Sequence, residues 1–172
     1  MTDARKEDVV KTTNERHAGS LTTSADDERS VQTLYEGVLE HWNARDATRM
    51  ARLFTRDCHL VGFDGSQTDG RAAVESEMTR IFASHPTARY VGIVRQVQFL
   101  GQTVAALRAV AGMVPPGETD LNPGLNAVQT LIATKDDASW RVALYQNTPA
   151  AFHGRPEAVK ALTDELRQQM NT

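Results

Sequence analysis

LNAVQTLIATKDDASWRVALYQNTPAAFHGRP, residues 125–156, is the stretch on which the architecture turns. Two runs with the composition of β-strands, 125–134 and 140–148, flank Lys135, Asp136 and Asp137, which supply turn chemistry. The polar residues are unevenly placed. Asn126 and Gln129 interrupt the first strand, Gln146 and Asn147 end the second, and His153 and Arg155 follow directly. A buried amide without a partner costs about 1–3 kcal/mol. Amides gathered on neighbouring strands therefore imply either a satisfied internal network or the lining of a pocket.

Working outward, residues 89–100 and 103–114 are rich in Val, Ala, Ile and Leu and flank Gly101-Gln102, the signature of a second hairpin. The loop PPGETDLNPG, residues 115–124, joins the two hairpins and is long enough to serve as a lid or a dimer contact. Past Pro156, the spacing of Val159, Leu162 and Leu166 predicts a last amphipathic helix.

Towards the N-terminus, Val31, Leu34, Tyr35, Val38, Leu39 and Trp42 form one wide apolar stripe at helical spacing. Ser24 is the expected N-cap, with Asp26, Asp27 and Glu28 at the positive end of the helix dipole. Asp46 opens a second, shorter helix carrying Met50, Leu53 and Phe54. Residues 58–63 read as a strand, Gly65 and Gly70 bracket a turn, and Arg71 starts a third helix that His85-Pro86 ends. Arg71 is expected to cap that helix or bridge to Asp64 and Asp69. Residues 1–24 lack a sustained apolar period, apart from a short helix conceivable at 6–11, and read as a mobile tail; 25–172 read as one domain. Helices followed by an antiparallel meander define an α+β fold.

The chain has 172 residues and a formal net charge of −3, with no basic block, which argues against nucleic-acid binding. Cys58 is the single cysteine, so neither a disulfide framework nor a cysteine-rich metal centre is available. No targeting segment and no membrane-length apolar run is present, and a cytoplasmic protein without a membrane partner is expected. The one glycine-rich turn, GFDGSQTDGR, lacks the spacing of a dinucleotide-binding fingerprint, and no P-loop is found. No cofactor is expected. Nothing in the spacing of His59, Asp64, His85 and His153 favours a metal site, and no metal is expected either.

Cofactor-free acid/base work in a pocket is the enzymatic chemistry these residues allow. Asp64, at a strand end before a glycine turn, is either a proton-transfer group or a turn-forming Asp bonded to its own backbone. His153, between Phe152 and Gly154, is either a base or a structural contact. Strict alternation puts Trp140, Val142, Leu144 and Gln146 on one face, which carries Gln146 along the core-facing row. Gln129 shares a face with Ala127 and Leu131, and either lines the pocket or lies in a dimer interface. Arg108, aligned with Val104, Ala106 and Val110, is a ligand anchor or buried ion-pair member, or else a solvent-facing residue on a sheet edge.

The phrase HWNARDATRMARLFTRD (41–57) resembles the helix–loop–helix opening of the nuclear-transport-factor-like superfamily, SnoaL-like and cystatin-like in fold. VGFDG, FASHP, LRAVAGMVPPGE, LNPGLNAVQTL and QNTPAAFHGRP, in that order, resemble the SgcJ/EcaC family, members of which are commonly labelled oxidoreductases. The resemblance spans residues 26–166. It implies a cone-shaped, bent antiparallel sheet packed on three helices, with a pocket at the open end and a homodimer formed through the outer face of the sheet. It further implies a small apolar or polyketide-like ligand from secondary metabolism, and places Tyr35 and Trp42 between the first helix and the sheet, where either can stack on it. On this reading Asp64 or His153 shuttles a proton while Arg108, Asn126, Gln129, Gln146 and Arg155 hold the ligand. The alternative is a non-catalytic binding or assembly module.

Overall fold

The computed structural model describes residues 25–137 and 139–172. The mobile tail expected over residues 1–24, its short helix and the Ser24 cap lie outside the described residues. Helix α1 (Ala25–Asn43) buries Val31, Leu34, Tyr35, Val38 and Leu39, the stripe its spacing predicts. Its first turn is also a tether: Asp27 Oδ1 accepts from Lys135 Nζ at 2.7 Å and from Trp140 Nε1 at 2.8 Å. Arg45, in the left-handed region at φ 57°, ends the turn after α1. Its guanidinium reaches the carbonyls of Phe82 and His85.

Asp46 caps α2 (Ala47–Arg52) by accepting from the Arg49 amide at 2.9 Å. This helix is shorter than expected. Phe54 leaves it to begin β1 (Phe54–Val61). The segment expected as a bare turn holds a short strand, β2 (Gln67–Asp69), antiparallel to β1. Arg71 opens α3 (Arg71–Ser84) but donates to Phe54 O at 2.9 Å, so it ties the helix to β1 and not to Asp64 or Asp69. The partner of Asp69 is His59, at 2.7 Å.

Strands β3 (Arg89–Phe99), β4 (Val104–Val114), β5 (Ala127–Asp136) and β6 (Ser139–Pro149) follow as a meander, and α4 (Pro156–Met170) ends the chain. The six strands lie in the order β2-β1-β6-β5-β4-β3 in an open sheet. All pairings are antiparallel except β1 with β6. That parallel pair follows from connectivity, because the strand laid down before the meander is reached again by its last member. The α+β architecture is the one expected.

Helices α1, α2 and α3 cover the inner face of this sheet. The strands present small residues there, with Ala105, Ala109 and Ala111 on β4 and Ala127 and Ala133 on β5 all buried. Gly92 on β3 shows why small residues are needed: a methyl at that position would sit 2.5 Å from Tyr35 Oη and 2.6 Å from Leu39 Cδ1.

Besides the shift in the β1–β6 register between Phe54 and His59, two bulges interrupt the antiparallel pairing, between Val94 and Gln96 on β3 and opposite Ile132/Ala133 on β6. Each of these two adds an unpaired residue and bends its strand. The second overturns the expected parity. Ile132 pairs with Leu144 but Ala133 with Val142, so Ala143 is the extra residue. Trp140 and Val142 face inward, and beyond the bulge Tyr145 and Asn147 take over that face while Gln146 is exposed.

Helix α4 lies on the other, outer face. Leu162 and Leu166 pack with Val114 and Leu121 in a second apolar cluster, flanked by Val91, Ile93 and Phe152. The loop after β4 is therefore pinned. Leu121 is buried in this cluster, and Asp120 accepts twice from the Arg167 guanidinium, both at 2.8 Å.

Candidate functional site

Between the three inner helices and the sheet lies a cavity of about 520 Å³, within the range of sites that take small molecules. Its walls are mainly apolar: Val38, Leu39 and Trp42 from α1, Met50 from α2, Met78 and Ile81 from α3, and Leu60, Phe63, Met113 and Leu125 from the sheet and its connections. Polar groups fall into two sets. Asp64, Ser66, Thr68, Glu77 and Arg80 form one; Tyr90, Tyr145 and Asn147 form the other.

Asp64 belongs to the first set through its turn. Gly62 N donates to Ser66 O at 2.8 Å, and Gly65 N to Gly62 O at 2.9 Å. Within that loop Asp64 Oδ1 accepts from the Ser66 amide at 3.0 Å and from the Ser66 hydroxyl at 2.7 Å. These two bonds hold the exposed carboxyl below its usual range, since hydrogen bonds to a carboxylate favour the charged form. The turn-forming reading of Asp64 describes these bonds, and the residue also lines the cavity. Nearby, Arg80 and Glu77 pair on the surface of α3, with Nη2 and Oε1 2.6 Å apart.

Behind the second set runs a buried polar network that joins α1 to three strands. Tyr35 Oη donates to Gln129 Oε1 at 2.7 Å, Gln129 Nε2 to Asn147 Oδ1 at 3.3 Å, and Asn147 Nδ2 to Tyr90 Oη at 2.6 Å. Gln129 and Asn147 are direct cross-strand partners. Burial raises all three tyrosines, Tyr90 to about 12, opposed in part by the Asn147 bond, and Tyr35 and Tyr145 well above the ordinary phenol value. A phenol buried in this way keeps its proton at neutral pH. Trp42 donates to Ala88 O at 2.8 Å, and its ring meets Phe82 and Tyr90 edge-on at 5.3 and 5.6 Å.

Of the residues expected at a site, Asp64 and Trp42 line the cavity. Tyr35 and Gln129 stand behind its wall, at 1% and 0% exposure, as members of the network. For Gln129 this excludes the outer-face alternative. Arg108 and Gln146 do come together, but on the outer face, in a cross-strand row running Gln96, Arg108, Thr130, Gln146. Arg108 there donates to Gln96 at 2.5 Å. The β6 bulge is what moved Gln146 out of the core-facing row.

Asn126 lies beneath α4, donating to Thr163 Oγ1 at 2.8 Å. His153 and Arg155 sit exposed on the turn before α4, the latter stacked over Phe152 at 5.4 Å from the ring centroid. Neither lines the cavity. Tyr90, Tyr145 and Asn147 were missed as site residues. The chain's three tyrosines all lie along this one network, but their positions in the sequence carry no sign of it.

Cys58 is buried and its thiol is pushed up by burial, which leaves it a weak nucleophile. Among the described residues no three His, Cys, Asp or Glu side chains gather as a metal site, and no helix is long and apolar enough to cross a membrane.

An open bent sheet around an apolar cavity with a few polar groups is the architecture of a small-molecule-binding α+β domain. The SnoaL-like domain family matches residues 31–151, and the chain belongs to it. Among solved structures, a cystatin-like-fold domain of unknown function from Nostoc punctiforme superposes with a TM-score of 0.72 at 20% identity, covering 87% of this chain and 100% of that one. A putative scytalone dehydratase from Novosphingobium aromaticivorans gives 0.60 at 16% identity, covering 73% and 85%. A ketosteroid isomerase-like protein from Erwinia carotovora atroseptica gives 0.59 at 14%, covering 74% and 98%. These likenesses are likenesses of fold. No curated protein matches the chain by sequence.

Proposed function

We propose that this protein takes a small, largely apolar molecule into the cavity and acts on it by cofactor-free acid/base chemistry. The proposal extends to the substrate class the SgcJ/EcaC resemblance suggests, a polyketide-derived intermediate handled in the cytoplasm. The observation that carries it is the cavity itself, about 520 Å³ with apolar walls and two separate polar sets. Asp64 is the candidate base, with one carboxylate oxygen engaged by Ser66 and the other without a partner among the described residues. Tyr90 and Asn147 are the candidate orienting groups, and Trp42 the aromatic wall. The names of two fold neighbours, a putative dehydratase and an isomerase-like protein, are compatible with chemistry of this class.

The test starts with mass spectrometry of whatever co-purifies with the protein, followed by turnover of the recovered molecule. Asp64→Asn should lower turnover at least about 100-fold, as expected for loss of a general base. His153→Ala, altering an exposed turn, should leave binding and turnover unchanged. Full activity in Asp64→Asn would rule out the catalytic part.

One observation favours a second reading, a binding module without chemistry. The bonds from Ser66 depress the Asp64 carboxyl, which makes it a poor base at neutral pH. That reading predicts ligand-dependent thermal stabilisation with the ligand recovered unaltered.

A further inference from the structure

The buried network has a direction. Tyr35 donates to Gln129, Gln129 to Asn147, and Asn147 to Tyr90, so every donor in the series faces the same way. Each amide uses its oxygen to accept from the preceding member and its nitrogen to donate to the next. The series begins on α1, away from the cavity, and ends at Tyr90 on the cavity wall. There the phenolic oxygen is taken as an acceptor, while among the described residues its own O–H donates to nothing. Successive bonds pointing one way polarise one another, so the last O–H is a better donor than an isolated phenol.

We propose that the Tyr90 hydroxyl donates to an oxygen acceptor on the bound ligand, a ketone or similar carbonyl, with Tyr35 and Gln129 acting as positioning residues that set this donor through Asn147. The inference rests on the cavity being the ligand site and adds the chemical class of the group it reads. A ligand without an acceptor leaves the Tyr90 proton unpaired in a mostly apolar space, which costs binding. The adjacent wall suits the rest of such a ligand, because the Trp42 ring lies 5.6 Å from that of Tyr90 and presents an aromatic surface.

The probes are 2-acetylnaphthalene, labelled with carbon-13 at the carbonyl, and 2-ethylnaphthalene, which has the same shape without the acceptor. The wild-type protein should bind the ketone about fivefold more tightly, the worth of one net hydrogen bond. Its carbonyl stretch should move to lower wavenumber than in hexane. Tyr90→Phe should abolish both the preference and the band shift while retaining the hydrocarbon's affinity, and Tyr35→Phe should give an intermediate band position. A loss of packing alone would weaken both probes together and leave the band of the bound ketone where it was.

Equal affinities with an unshifted carbonyl in the wild-type protein overturn the donor assignment and leave the cavity reading standing. Failure of both probes to bind overturns the cavity reading and this inference with it. The wild-type band position decides the donor without any variant, should Tyr90→Phe fail to fold. An unchanged band in Tyr35→Phe removes the positioning role.

Discussion

Asn126 and Gln129 stand three positions apart, and that odd spacing sends their side chains to opposite faces of the sheet. Both are buried amides, at 1% and 0% exposure, yet they are not equivalent. Gln129 accepts from Tyr35 and donates to Asn147, so its loss strands two buried groups. Gln129→Leu should cost about 2–6 kcal/mol, at roughly 1–3 for each of the two unpaired groups. Asn126 donates once, to Thr163, and its Oδ1 is buried without a partner. Asn126→Ala removes that orphan acceptor together with the bond, and Thr163 keeps its own acceptor, Val159 O. Its cost should stay below about 1.5 kcal/mol, because the lost bond and the relieved desolvation offset each other. Urea denaturation of both variants checks the contrast. Equal losses would mean that the Tyr35–Gln129–Asn147 series contributes nothing particular to stability.

At the scale of elements, α4 is the one helix on the outer face among the described residues, and ion pairs at its margins supplement the apolar cluster that seats it. Arg95 on β3 grips Glu165 through two bonds of 2.5 and 2.6 Å, Arg167 grips Asp120, and Lys160 pairs with Asp164 within the helix. Each carboxyl is held below its usual value, first by its hydrogen bond to the basic partner. A depressed folded-state value means that the stabilisation is present above the ordinary carboxylate range and is lost as pH falls through the folded values. Amide exchange in α4, corrected for its intrinsic rate, should therefore accelerate below about pH 4 relative to β4–β6. Arg95→Ala should flatten that dependence. Exchange that is independent of acid would show that the apolar cluster of Val114, Leu121, Leu162 and Leu166 holds the helix alone.

The same scale shows what could be read from sequence and what could not. The α1 stripe, the two hairpins and the last helix follow from periodicity, because local spacing dictates which face is apolar. Asp64 at the cavity was legible from its glycine turn, and Trp42 from its place on the helix that faces the sheet. Gln146 was misplaced for a physical reason. A bulge adds one residue without marking composition, and Ala143 between Val142 and Leu144 carries no glycine to announce it. Past that point every side chain of β6 changes face, which is how Asn147 replaced Gln146 at the cavity. The role of Tyr90 depends on a partner 57 positions away, and no local pattern encodes such a pairing.

For the molecule as a whole, the outer face raises the question of assembly. Helix α4 covers one part of it, over Val91, Ile93 and Val110. What remains runs across β4, β5 and β6: Ala106, Val128, Ile132 and Leu144, interleaved with Arg108, Thr130 and Gln146. Val128, at 42% exposure, is one of two large apolar side chains left exposed among the described residues, the other being Leu100. The composition of this face, apolar with a polar row, suits a moderate two-fold interface better than open solvent, and a two-fold axis would set the same patch against itself. A homodimer through this face, of the kind the sequence resemblance suggested, is the resulting proposal. Sedimentation velocity at micromolar concentration should report a dimer, and Val128→Lys should convert it to monomer, because two buried ammonium groups brought together across the axis repel and cannot be desolvated cheaply. The cavity lies on the opposite face of the sheet, so the monomeric variant should bind 2-acetylnaphthalene with wild-type affinity. A wild-type monomer, or a dimer indifferent to Val128→Lys, would remove this face as the contact.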